Sequence, residues 1–212
     1  MPPAAPRLVL VPGLGLDDRS SRRLRARVPG EVVVLPGMGR RGPVPPLTEL
    51  ATRLRDRLGA GPVVLVGHSQ SCQVVVAAAQ QDLRVVGVVL LGPTTDPRLR
   101  RLRVLARRWL ATAVREPVRS MPLVVAQWLR TGPRAMVSLW RRAAPDRIDV
   151  RLAGVRVPVT VVRGTRDALC PHDWAARLAA VAPDGRLVEI PGAAHMTVQT
   201  HPDQVAAILR SV

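Results

Sequence analysis

Residues Gly61 to Ala79 read GPVVLVGHSQSCQVVVAAA. Val63 to Val66 is a short unbroken apolar run, the pattern of a strand buried on both faces. Gln73 to Ala79 is rich in alanine and valine and fits a buried helix. Between them Ser69 stands at the tip of a very tight reversal. A strand that turns into a helix this abruptly forces its tip residue into a strained backbone conformation. The small neighbours Gly67 and Ser71 let the two elements pass close together. The hydroxyl of Ser69 is thereby lifted clear of the strand, and the N-terminus of the helix is aimed at it.

Gly67-His68-Ser69-Gln70-Ser71 fits the nucleophile elbow G-x-S-x-G, with Ser71 where the last glycine is expected. Serine is the next smallest polar choice, so slightly looser packing is expected there. Five residues alone are a weak signal, because serine also caps helices routinely. The strand before and the apolar helix after make it specific.

The flanking chain alternates in the same manner. Arg7 to Val11 reads as a first strand, and the tight turn Pro12–Leu16 follows it. Asp17, Asp18 and Ser20 offer N-cap chemistry for a helix that includes Leu24 and runs to about Val28. Val32 to Leu35 is the expected second strand, before a Gly/Pro-rich loop. Leu47, Leu50, Ala51, Leu54 and Leu58 recur at helical spacing. Val85–Leu91, Val157–Val162 and Arg186–Ile190 are the fourth, fifth and sixth strands, and a last helix starts at Pro202. Strands alternating with helices imply an α/β fold, a doubly wound parallel sheet of about six strands with helices on both faces. Right-handed crossovers give the order 2-1-3-4-5-6, with the switch point between the first and third strands. Pro12–Leu16 and Ser69 both fall at its carboxyl edge.

Pro97 to Arg151 breaks the alternation. Leu99, Leu102, Ala106, Trp109 and Ala113 make one helical stripe, and Val118, Met121, Val125, Trp128 and Leu129 another. Met136, Leu139 and Trp140 mark a third short helix. This is expected to be an inserted helical cap within a single domain spanning residues 1–212. Its three tryptophans either pack it onto the body or line a pocket.

A serine hydroxyl needs a base, and the base an orienting acid. His195, in a loop of small residues directly after the sixth strand, returns to the edge where Ser69 sits. His68 is the elbow's variable position, His172 precedes a helix and His201 sits at a helix start. For the acid, Asp167 follows the fifth strand; Asp96, after the fourth, is the rival, and Asp173 suits a helix cap. An oxyanion needs preplaced donors. The N–H of Gln70 is one candidate and that of Leu14 the other, since Pro12 cannot donate and Gly13 lets the chain bend.

At this point the chain resembles an α/β-hydrolase of the compact, capped, esterase-like kind. VLVPGLG, VGHSQS, VRGTRD and IPGAAHM stand in family order from Arg7 to Arg210. The resemblance implies a cofactor-independent serine hydrolase of a carboxylic ester or thioester, with no metal. The same triad also supports acyl transfer, C–C bond hydrolysis and perhydrolysis, and the fold could serve as a non-catalytic small-molecule receptor. The family's oxyanion turn usually begins His-Gly; Pro12-Gly13 loses a bracing side chain, not a backbone donor.

All 32 basic residues are arginine, and the formal net charge is +17. The absence of Lys, Asn, Phe and Tyr points to GC-rich codons rather than to a polyanion partner. Without Phe or Tyr there is little stacking surface for single strands, so nucleic acid is not an expected partner. No apolar run approaches membrane-spanning length, no signal peptide is read, and two cysteines without metal spacing fit a reduced, cytoplasmic protein. The 14 arginines between Pro97 and Arg151 face only Glu116, Asp146 and Asp149, a local +11. That imbalance is either a solvated basic face or a means of guiding an anionic acyl substrate.

Overall fold

The computed structural model describes residues 5–212, the side chain of Leu102 excepted. Six parallel strands form the sheet: β1 Arg7–Val11, β2 Glu31–Val32, β3 Val63–His68, β4 Val85–Leu91, β5 Val159–Gly164 and β6 Gly185–Ile190, in the order β2-β1-β3-β4-β5-β6. Period-two alternation divides the strand side chains between two cores. Val9, Val11, Leu65, Leu90 and Val161 face the helices Leu47–Arg55, Ser71–Ala79 and His172–Val181. Leu8, Leu10, Val66, Val89 and Ile190 face Leu24 and the last helix, Pro202–Arg210. Helices therefore cover both faces, which is why the strands read as continuous apolar runs.

The second strand departs from expectation. Val33 still donates to the Leu10 carbonyl at 2.9 Å, but Leu35 turns away and bonds Met38. Leu35–Pro36 then pairs with Gly39–Arg40 in a separate two-stranded element. Gly37 and Gly39, at φ +80° and +85°, make that departure possible, and it buries Leu35 and Met38 completely. Asp17 caps the first helical turn by accepting the Arg19 N–H at 3.0 Å. The fifth strand starts two residues late, at Val159, because Pro158 has no N–H for the ladder.

Between β4 and β5 the chain forms more helical pieces than the three stripes suggest. The helices are Leu102–Ala113, Met121–Thr131, Pro133–Ala143 and Ile148–Leu152, with short 3₁₀ turns at Pro97–Arg100 before the first and at Val118–Ser120 before the second. Gly132 at φ +87°, followed by Pro133, separates two helices that otherwise run on. The insertion is tied to the β1 turn, where Gln127 accepts the Asp17 N–H at 2.8 Å and Thr131 donates to the Gly15 carbonyl at 2.9 Å. It is tied again beyond β5, where Thr112 accepts the Ala168 N–H at 3.1 Å.

In-register pairing brings the carboxyl ends of the strands level. Val11 lies beside Gly67, His68 beside Leu91, and Gly164 beside Ile190. The turn at Leu14, Ser69, the Asp167 loop and the His195 loop all leave from that edge.

Candidate active site

Ser69 has φ +57°, the left-handed strain expected of a tip residue between β3 and the helix Ser71–Ala79. The reversal leaves no space at Gly67, where a Cβ would sit 2.8 Å from the Cys72 Cα. Ser71, expected to loosen the elbow, is instead fully buried. Its Oγ accepts the His68 N–H at 2.7 Å and lies 2.6 Å from the Val11 carbonyl oxygen. A hydroxyl can accept and donate at once, so the departure from glycine adds a tie between β1 and the elbow.

His195 and Asp167 meet directly: Nδ1 and Oδ2 are 2.7 Å apart. The other carboxylate oxygen, Oδ1, accepts the N–H groups of Leu169 at 2.8 Å and Cys170 at 3.1 Å. Burial works to raise the Asp167 pKa, but the His195 charge and these donors hold it below the ordinary carboxylate range. Burial works to lower the His195 pKa, and the facing Asp167 carboxylate outweighs it, so the net displacement is upward. The bond to Asp167 fixes the ring and leaves Nε2 without a hydrogen-bond partner among the described residues. Two glycines make the approach possible. A Cβ at Gly164 would collide with the carbonyl oxygens of Ala193 and Ala194, and one at Gly92 would sit 3.0 Å from His195 Nδ1.

The other candidates are otherwise engaged. Asp96 accepts from the Arg98 guanidinium at 2.7 Å and from the Arg98 N–H at 2.9 Å. Asp173 pairs with the same guanidinium at 2.7 Å and accepts the Trp174 N–H. His172 faces Glu189 at the surface, and His201 contacts Thr200. His68 is buried, its ring centroid 5.1 Å from that of His195. Burial, with the neighbouring His195 charge, drives its pKa down to about 3, so it stays neutral.

Ser69, His195, Leu14 and Gln70 line one cavity of about 540 Å³. Among the described residues the N–H groups of Leu14 and Gln70 donate to no protein acceptor. No hydrogen bond joins Ser69 Oγ to His195, a contact that commonly tightens only with substrate bound. The insertion supplies most of the far wall, including Trp109, Trp128 and Trp140. All three of its tryptophans thus line the cavity, and the rings of Trp109 and Trp128 meet at a 39° tilt with centroids 5.8 Å apart. Glu116 lines it too, accepting the Met196 N–H at 2.7 Å. Sequence reasoning counted Glu116 only as a charge; its isolation in an arginine-rich segment, just before Pro117, was the available signal.

Among the described residues no three His, Cys, Asp or Glu side chains converge as a metal site would require. Cys72 and Cys170 are both buried and unpaired, and burial pushes both thiols up. No helix of the described residues is long and apolar enough to cross a membrane.

Residues 8–208 match the model of the alpha/beta hydrolase family. The chain belongs to that family. A comparison with curated proteins returns no match. Among solved structures, a hydrolase from Oleispira antarctica is similar at 15% identity and a TM-score of 0.80, over 98% of this chain and 90% of that one. A thermophilic esterase matches at 19% identity and a TM-score of 0.79, over 99% and 90%. A bromoperoxidase from Bacillus anthracis matches at 17% and 0.76, over 99% and 92%. At these identities the neighbours speak for the fold, and membership of the family supports a hydrolytic enzyme.

Proposed function

We propose that the protein is a cofactor-independent serine hydrolase that cleaves a carboxylic ester or thioester through an acyl-enzyme on Ser69. The observation that carries the reading is the 2.7 Å His195–Asp167 pair opening on the same cavity as the strained Ser69. In this reading Asp167 orients the His195 ring and stabilises its charged form. Nε2 takes the Ser69 proton as Oγ attacks the carbonyl carbon, then returns it to the leaving oxygen or sulfur. Water, activated by the same nitrogen, releases the acid. The free N–H groups of Gln70 and Leu14 hold the oxyanion. Loss of one such donor typically costs about 3 kcal/mol in the barrier.

The inserted helices act as a cap on this reading, and their apolar wall accommodates the acyl chain. The substrate is a small acyl compound, with anionic ones favoured by the arginine-rich exterior. Nucleic acid and membranes are not partners, and a reducing cytoplasm suits two buried thiols.

A fluorophosphonate probe should label wild type at Ser69 and leave Ser69→Ala unlabelled. A chain-length series of p-nitrophenyl esters and acyl thioesters should be turned over by wild type alone. A folded protein that takes the probe but hydrolyses none of the series would favour acyl transfer or a receptor role.

A further inference from the structure

The cavity wall is largely apolar, and several buried side-chain polar atoms of its lining residues lack a partner among the described residues. Glu116 is 8% exposed; Oε1 is used by Met196, and Oε2 is buried with no hydrogen-bond partner among the described residues. His68 Nε2 faces the His195 carbonyl oxygen at 3.2 Å. A carbonyl only accepts, so Nε2 carries the proton and the unpartnered Nδ1 is an acceptor. The Gln70 side-chain oxygen is likewise buried without a partner, and so is the Thr94 hydroxyl. All four residues line the cavity that holds Ser69. Buried polar groups left unused are costly, and a ligand that supplies the missing partner removes that cost.

We propose that the substrate carries a hydrogen-bond donor, a hydroxyl or amide N–H, within a few bonds of the scissile carbonyl, and that Glu116 selects it. This deepens the hydrolase reading and rests on it. Glu116 is suited to the task because it is bonded to the residue next to His195. Its carboxyl group therefore lies near His195, the residue that handles the leaving atom in that reading. A hydrogen bond to a carboxylate is also among the stronger neutral-to-charged contacts.

The test compares ethyl butanoate with two relatives of similar size, ethyl 3-hydroxybutanoate and 2-hydroxyethyl butanoate. Wild type should favour at least one hydroxylated ester by roughly tenfold in kcat/KM, the value of one hydrogen bond to a charged group. Glu116→Gln keeps a carbonyl oxygen for the Met196 N–H and turns the free acceptor into a donor. A substrate hydroxyl can then only accept from a neutral amide, so the preference should shrink several-fold. Equal kcat/KM for all three esters in wild type overturns the proposal while leaving the hydrolase reading intact. A preference undiminished in Glu116→Gln, including an equal loss on every ester with the ratio unchanged, also overturns it, because Glu116 would then only fasten the His195 loop. Failure to hydrolyse any of the three, with no fluorophosphonate label at Ser69, is instead the failure of the hydrolase reading.

Discussion

Ser71 Oγ lies 2.6 Å from the carbonyl oxygen of Val11, across the seam between the first strand and the elbow. The same oxygen takes the His68 N–H. Replacing it by the glycine usual at this position strands a buried donor and a buried acceptor. Ser71→Gly should therefore lower stability by about 1–3 kcal/mol, read as a lower urea midpoint at unchanged m. An unaltered midpoint would show that water replaces the hydroxyl at no cost.

The pH profile follows from the displaced pKa values. In the proposed mechanism His195 must be neutral to accept a proton, and its pKa lies above the ordinary 6.5. The acid limb of kcat/KM should accordingly lie above pH 6.5. Asp167→Asn removes the charge that opposes burial, so turnover should fall by several orders of magnitude and the residual acid limb should move to lower pH. Asp96→Asn should leave that limb in place. Stability has its own window. The Asp167 contribution is complete above the unfolded carboxyl value of about 3.9 and is lost as pH falls through the lower folded value. The His195 contribution is complete below about 6.5 and is lost as pH rises through the raised folded value. Thermal melts should show both contributions intact between those limits.

Gly164 makes no catalytic contact on this reading, yet it permits one. Gly164→Ala pushes a methyl group into the Ala193 and Ala194 carbonyls and must displace the loop that ends in His195. Turnover should fall at least tenfold, an effect expected of small misplacements, with a lowered Tm. Near-normal kcat would mean that the loop adapts.

Arg103 and Arg107 are exposed and make no ion pair among the described residues, whereas Arg100 donates to the Ala144 carbonyl at 2.8 Å and closes a helix end. Steering of an anionic substrate is therefore best tested at the first two. For an anionic thioester, kcat/KM should drop with ionic strength, while a neutral ester of equal length should not respond. Arg103→Glu with Arg107→Glu should flatten the difference. Equal salt responses in wild type would leave only a solvated basic face.

The sheet and its order were legible because each buried strand is an apolar run closed by Gly or Pro, and local pattern suffices for that. Leu35 was misassigned because a two-residue pairing held by Gly37 and Gly39 has no periodicity to detect. The roles of Ser71, Gly164 and Glu116 were hidden for a different reason. Each depends on a partner 60, 29 or 80 residues away, and nothing in the local sequence names that partner. Ser69, Asp167 and His195 stood out because each sits just past the end of a recognisable strand. The Glu116 side chain stands past the end of a helix among arginines, where chemistry is not looked for.

The inserted helices are fastened on both sides of the cleft, through Gln127 and Thr131 to the first turn and through Thr112 and Glu116 to the loops beyond β5 and β6. A roof held along one side could swing; one held along two must break buried bonds to move. Entry to the cavity should then be limited by the fixed placement of these helices. On the proposed hydrolase reading, activity should fall with a sharp cutoff as the bulk of the ester increases rather than in a gradual decline.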